Sequence, residues 1–150
     1  MADLQALYQE IILDHNKNPR NFRVLPDADR VVDAYNPLCG DHYTLYVRLD
    51  GDRIADVTFQ GSGCAISKAS ASVMSTVLKG KSIADAQKIF EVFHQLVRGE
   101  FKGERDLEHL GKIAAFAGVS EFPTRVKCAI LAWHAVRGAV SANEQTVTTE

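Results

Sequence analysis

Hydrophobic positions change their period twice along the chain. Leu4, Leu7, Tyr8, Ile11 and Ile12 follow the i, i+3, i+4 spacing of an amphipathic helix, with Asp3 placed to cap it. The polar run 14–18, followed by Pro19, predicts where that helix stops. A loop containing Pro26 comes next, and residues 31–35 read as a short strand. From residue 42 the pattern alternates. Tyr43, Leu45, Val47 and Leu49 share one face, and His42, Thr44, Tyr46 and Arg48 share the other. Asp50-Gly51 is a hairpin turn signal. The returning strand, residues 53–60, is expected to bury Ala55, Val57 and Phe59. The pattern predicts a three-stranded antiparallel sheet with one face packed by helices.

Past Phe59 the period lengthens to three or four. Gly61-Ser62-Gly63 ends the strand, and Ile66, Ala69, Val73 and Val77 form a helical stripe closed by Gly80. Ser82, with Asp85 three residues on, approximates a capping box. It opens a helix that turns Ile83, Ala86, Ile89, Phe90, Phe93 and Leu96 inward and closes at Gly99. Leu107, Leu110, Ile113 and Ala117 suggest a short helical segment ending at Gly118. A last helix starts at Pro123 or Thr124 and carries Val126, Ile130, Trp133, Arg137 and Val140. Residues 141–150 are polar and expected to fray. No internal repeat or low-complexity linker divides the chain. The expectation is one α+β domain spanning residues 1–150.

Composition narrows the function. With 150 residues and 46% hydrophobic content, the chain can build one core. Its 17 Lys and Arg against 19 Asp and Glu leave a net charge of −2, no footprint for nucleic acid or an anionic membrane. No apolar run approaches the ~20 residues of a membrane span. The first ten residues carry acids and lack the basic start of a signal peptide. The cysteine count is 3, an odd number that argues against a disulfide framework and for a reducing, cytoplasmic compartment.

Those cysteines sit at informative places. Cys39 lies in a tight turn bracketed by Pro37 and Gly40, with Asp41 two residues on. Cys64 lies at a strand-to-helix junction, where the helix dipole favours thiolate. Cys128 lies in the last helix, with Arg125 one turn earlier on the same face. Brought together, Cys39, Asp41, Cys64 and Cys128 would make a set of three sulfurs and one oxygen, suited to zinc or an iron–sulfur centre. A carboxylate exchanges more readily than a fourth thiolate, so such a site looks built to open. Spacing alone does not bring the four together. Isolated cysteines are commonly small buried hydrophobes. Asp41 also suits a turn, Arg125 a solvated helix face, and Gly61 and Gly63 plain strand punctuation. His15, His42, His94, His109 and His134 show no ligand spacing. The serine-rich run 67–75 suits close helix packing better than phosphate binding.

Three fragments carry more than spacing does. Asn36-Pro37-Leu38-Cys39-Gly40-Asp41, Gly61-Ser62-Gly63-Cys64-Ala65-Ile66-Ser67 and the run from Arg125 to Trp133 resemble, in order, the U-type iron–sulfur cluster assembly proteins, the NifU N-terminal or IscU-like family. The opening, residues 8–22, is similar too, and the resemblance covers roughly residues 4–140. In the IscU-like scaffold branch a His precedes the third cysteine; here that residue is Lys127. The chain also carries extra residues, 101–122, between its second and third cysteines. Both features resemble the SufU branch.

The resemblance implies a SufE/NifU-like fold and a zinc ion held by Cys39, Asp41, Cys64 and Cys128. It implies a catalytic role for Cys39 and Arg125, Arg125 matching a basic residue beside the site. It further implies that persulfide sulfur is accepted from a SufS-type, pyridoxal-phosphate cysteine desulfurase and passed on to downstream iron–sulfur scaffold proteins. Cys39, on its turn, is the expected acceptor, with a His of the desulfurase taking its place on the metal. The charged side of residues 101–122 (Lys102, Glu104, Arg105, Asp106 and Glu108) is expected to help dock that partner. Two alternatives use the same ligands: a scaffold on which a [2Fe–2S] cluster is built, and a zinc site that only holds the fold.

Overall fold

Alternation at residues 42–49 becomes the central strand of the sheet. The structure is a computed structural model; it describes residues 4–100, 104–142 and 146–148, with side chains over 6–100, 111–141 and 146–148. Strands β1 (Arg30–Asn36), β2 (Asp41–Asp50) and β3 (Arg53–Ser62) form an antiparallel meander. Tyr43, Leu45 and Val47 are buried on its inner face, while Thr44, Tyr46 and Arg48 face outward, half-exposed. The expected Asp3 cap lies outside the described residues.

Two sheet expectations change. A fourth strand, β4 (Thr146–Thr148), runs parallel to β1, so the order is β3-β2-β1-β4 and the sheet is mixed, not a three-stranded antiparallel one. It comes from the segment expected to fray. Three residues of Thr-Val-Thr are too few to show alternation, and pairing with the β1 edge supplies what local sequence does not. The register of β2 and β3 also shifts between Arg48 and Leu49. That bulge pairs Leu49 with Ile54, so Ile54 is buried and Ala55, expected inside, is only half-buried.

Helices α2 (Ala65–Leu78) and α4 (Pro123–Ala142) pack on the sheet, with α1 (Leu4–Lys17) against α2 and α3 (Ile83–Val97) against α4. Ser82 caps α3, its Oγ accepting from Asp85 N at 3.1 Å. Pro123 opens α4, where its missing N–H costs nothing. Helix α2 lies at the centre, and its serines let neighbouring backbones approach. Ser70 Oγ donates to the Ala129 carbonyl at 2.5 Å and accepts from Trp133 Nε1 at 3.0 Å. Trp133 then stacks on Phe93, with ring centroids 4.2 Å apart. This is the close packing expected of the run 67–75.

The insertion is longer than the short helix predicted. It forms a 3₁₀ segment (Glu104–Glu121) kinked at Gly111, whose φ of 62° is left-handed. Ile113, Ala114, Ala115, Phe116 and Val119 are buried in the core. The side chains of Leu107 and Leu110, and the charged residues 102–108 expected to dock a partner, lie outside those described.

Helix α1 continues through the polar run expected to end it, and this carries His15 into the interior. His15 Nδ1 lies 2.7 Å from Ser72 Oγ, and Nε2 lies 3.5 Å from Lys112 Nζ of the 3₁₀ segment. Burial first, then the charges of Arg20 and Lys112, push its pKa from 6.5 down to about 4, against the pull of Asp14. Below its ordinary pKa the unfolded chain binds a proton that the folded chain refuses until about pH 4. Folding stability therefore falls as pH drops through that window. At about 1.4 kcal/mol per pH unit the loss reaches about 3 kcal/mol. The stability difference between parent and His15→Gln, read from urea midpoints, should shrink by most of that amount between about pH 7 and about pH 4. A gap independent of pH would give His15 a packing role alone.

Candidate metal centre

Strand β1 ends and β2 begins at a hydrogen-bonded pair, Asn36 opposite Asp41. The turn between them is closed by the Asn36 carbonyl, which accepts from Cys39 N at 3.2 Å and Gly40 N at 2.9 Å. Gly40 supplies the left-handed φ of 72° that this turn requires. Leu38 and Cys39 stand exposed at its tip. Cys64 is the N-cap of α2, its sulfur accepting from Ser67 N at 3.4 Å, as the strand-to-helix reading implied. Cys128 is buried in the second turn of α4.

These elements meet at one corner. Cys39, Asp41 and Cys128 each place a ligand atom within 4.8 Å of the others. The sulfurs of Cys128 and Cys39 are 3.3 Å apart. Cys64 lies beside them: its backbone N donates to Asp41 Oδ1 at 2.8 Å. Three of the four expected ligands therefore meet, and the fourth, Cys64, is tied to them by its backbone. Arg125 does not join them. It is exposed on the first turn of α4, and among the described residues no hydrogen bond or ion pair ties its guanidinium to a ligand. His94 and His134 pair with each other on α3 and α4, ring centroids 5.4 Å apart, and take no part in this cluster.

The carboxylate of Asp41 is buried yet fully engaged. Its Oδ1 accepts from Cys64 N at 2.8 Å and Ser67 Oγ at 3.1 Å, and its Oδ2 from Asn36 Nδ2 at 3.3 Å. Tyr43 OH lies 2.8 Å from Ser67 Oγ and steadies that hydroxyl. Asn36 Nδ2 also donates to Cys128 Sγ at 3.4 Å. None of these supporting residues was singled out as a site residue from sequence. One signal was available: Asp41 shares the parity of Tyr43 and Leu45, so it had to point inward.

A metal ion fits this set. Protons alone divide it unevenly. The hydrogen bond from Cys128, then the Ser67 amide, bring the Cys64 thiol down to about 6 against its burial. Giving that hydrogen bond, and then burial, push Cys128 up. Two thiols and a carboxylate meet at this corner, with a third thiol beside them. Tetrahedral zinc–thiolate bonds of about 2.3 Å place sulfurs about 3.8 Å apart. The Cys39–Cys128 separation needs to open by only about half an ångström to meet that. Three soft thiolates and one harder carboxylate suit zinc, and suit iron–sulfur centres as well.

The sequence profile of the NifU-like N terminal domain matches residues 7–129. The chain belongs to that family. Among its NifU-like relatives, the zinc-dependent sulfurtransferase SufU of Bacillus subtilis (strain 168) is 47% identical over 143 residues, 95% of each chain. The iron–sulfur cluster assembly scaffold protein IscU of Streptococcus pyogenes serotype M1 is 39% identical, covering 99% of this chain and 92% of its own. A solved iron–sulfur cluster assembly scaffold protein for the SUF system, from Fervidobacterium islandicum AW-1, superposes with a TM-score of 0.82 at 36% identity, over 91% of this chain and 98% of that one. The NifU-like α+β architecture is thus shared. No helix among the described residues is long and apolar enough to cross a membrane.

Gly63 gives the NifU-like site a sharp steric test. A Cβ there would press on Asp41 Oδ1 and lie 2.5 Å from Ser67 Oγ and 2.6 Å from Tyr43 OH, closer than real Cβ contacts come. Gly63→Ala is expected to displace the carboxylate and weaken zinc binding about 10- to 100-fold, the range for lost supporting groups. Competition with a chromogenic chelator measures it. Parent-like affinity would show that Asp41 is not held where the carboxylate stands.

Proposed function

We propose that this chain is a zinc-dependent sulfur acceptor in iron–sulfur cluster assembly, taking persulfide sulfur from a cysteine desulfurase. One observation carries the reading: of the three thiols only Cys39, on a turn, is exposed, while Cys64 is half-buried at a helix start and Cys128 is buried in a helix. The SufU relative named as a zinc-dependent sulfurtransferase supports it.

The ligands are Cys39, Asp41, Cys64 and Cys128. Zinc bound there keeps the sulfurs as thiolates at neutral pH. The chain's own part is to present one of them. The turn can carry Cys39 outward while Cys64, Cys128 and Asp41 stay on their helices and strand. The Cys39 thiolate attacks the terminal sulfur of the desulfurase persulfide. A new S–S bond forms on Cys39, the old S–S bond breaks, and the desulfurase cysteine leaves as thiolate. With zinc bound, Asp41, Cys64 and Cys128 would hold it while Cys39 is away, and a neutral donor of the partner such as a His would complete the set. On this reading Arg125, exposed one turn before Cys128, attracts the anionic persulfide as it approaches. Downstream scaffold proteins of iron–sulfur assembly would receive the sulfur. On this reading the chain works in the cytoplasm.

A second reading has support in the IscU relative, named as a scaffold, and in the donor set, which also suits iron. Metal content after purification with and without oxygen separates them. Zinc near one per chain in both supports transfer. Iron with sulfide, found only without oxygen, supports the scaffold.

Mass spectrometry after incubation with desulfurase and cysteine should find one added sulfur on the Cys39 peptide. Sulfur on the Cys64 or Cys128 peptide with Cys39 unmodified would overturn the assignment. Asp41→Ala should retain part of its zinc and accept sulfur more slowly, because a water or an external thiol can take the vacant position. A variant as fast as the parent would reduce Asp41 to a turn residue.

A further inference from the structure

Asn36 touches three of the four proposed ligands. Its carbonyl holds the Cys39 turn, accepting from Cys39 N at 3.2 Å and Gly40 N at 2.9 Å. Its side-chain amide donates to Asp41 Oδ2 at 3.3 Å and to Cys128 Sγ at 3.4 Å. The residue is wholly buried, and among the described residues its Oδ1 has no partner. That orphan is informative. Turning the amide over would aim Oδ1 at a carboxylate and a sulfur, setting acceptor against acceptor. The fold instead leaves a buried carbonyl unpaired and directs both amide hydrogens at the carboxylate and the sulfur. A residue chosen only to close the turn needs neither contact, since its backbone already closes it.

We propose that Asn36 is a positioning residue that keeps Asp41 and Cys128 on the metal while the Cys39 turn swings away. Its backbone is the base on which the turn pivots, and its amide anchors two ligands that must not follow. Amide hydrogen bonds to thiolate and carboxylate disperse their negative charge without competing for the cation. With Cys39 coordinated, four ligands hold the ion and the clamp adds little. With Cys39 withdrawn, three remain, two of them clamped by Asn36. The timing of this role rests on the acceptor reading above; the contacts do not.

The test is zinc release to a chromogenic chelator from zinc-loaded protein, comparing Asn36→Ala and the near-isosteric Asn36→Asp in two backgrounds, parent and Cys39→Ala. The expected result is release changed by less than about threefold in the parent but accelerated about 10- to 100-fold in Cys39→Ala. Equal acceleration in both backgrounds is what general loosening of the fold produces, and it would overturn the proposal. Cobalt-loaded protein gives a second readout. Without the amide donor the Cys128 sulfur is more electron-rich, so in Asn36→Ala the sulfur-to-cobalt charge-transfer band should move to lower energy. A band at the parent position would overturn the contact. Sulfur mapping on the parent protein is read separately. If Cys39 gains no sulfur while release stays coupled to Cys39, the acceptor role fails and the clamp stands.

Discussion

Thiols and a carboxylate brought to one corner repel one another once ionised, and the site-bearing end of the molecule is arranged around that repulsion. Hydrogen bonding holds the Cys64 thiol low and, together with burial, pushes Cys128 high. The structure prepares for the charged state all the same. The start of α2 directs the Cys64 amide and the Ser67 hydroxyl at Asp41 Oδ1, and the Asn36 amide meets Oδ2. A carboxylate so held is already desolvated and aimed, so binding a metal requires little rearrangement of its shell.

The serine-rich centre of α2 makes that convergence possible. Cys64 caps α2 and Cys128 sits in α4, so α2 must approach α4 closely for both to lie at this corner. Ser70 achieves this by hydrogen-bonding both the Ala129 carbonyl and the Trp133 indole, so α4 is held in rotation and height next to Cys128 itself. A larger apolar residue would hold the helices apart, and a lone hydroxyl there would be a buried polar group without a partner. Further along α2, Ser72 does the same for α1, accepting from Arg20 N at 2.8 Å and meeting His15. Packing and polar satisfaction are solved by the same side chains.

Mobility is distributed unequally across the site. Two ligands are fixed by regular structure, and a third lies at the first residue of β2. Cys39 belongs to a turn whose tip, Leu38, is among the most exposed apolar residues of the chain. Sulfur chemistry needs a thiol that can reach a partner, and metal retention needs ligands that do not move. Putting both demands on one ligand set works because the chain segregates them by secondary structure. Asn36 stands at the boundary between the fixed part and the mobile part.

By itself the sequence determined what depends on near neighbours. Period two at residues 42–49 specified β2 and its inner face, period three to four specified α2 and α3, and Ser82 capped α3 as its spacing implied. The ligand types and their order were legible too, because the fragments around Cys39, Cys64 and Cys128 are distinctive as strings. What local pattern could not carry was left to tertiary structure. Cys39 and Cys128 are 89 positions apart, and only the docking of α4 beside β1 brings their sulfurs to 3.3 Å. The bulge that exchanges Ile54 for Ala55 arises from how two strands pair, as does the three-residue β4 that needs the β1 edge to exist. His15 sits in a polar run that reads as a helix end, and it becomes buried only because Ser72 offers a partner across the helix interface. Asn36 reads as an ordinary turn residue until Asp41 and Cys128 are folded against its amide. A polar side chain gains its meaning from the groups that exclude water around it, and those come from distant parts of the chain.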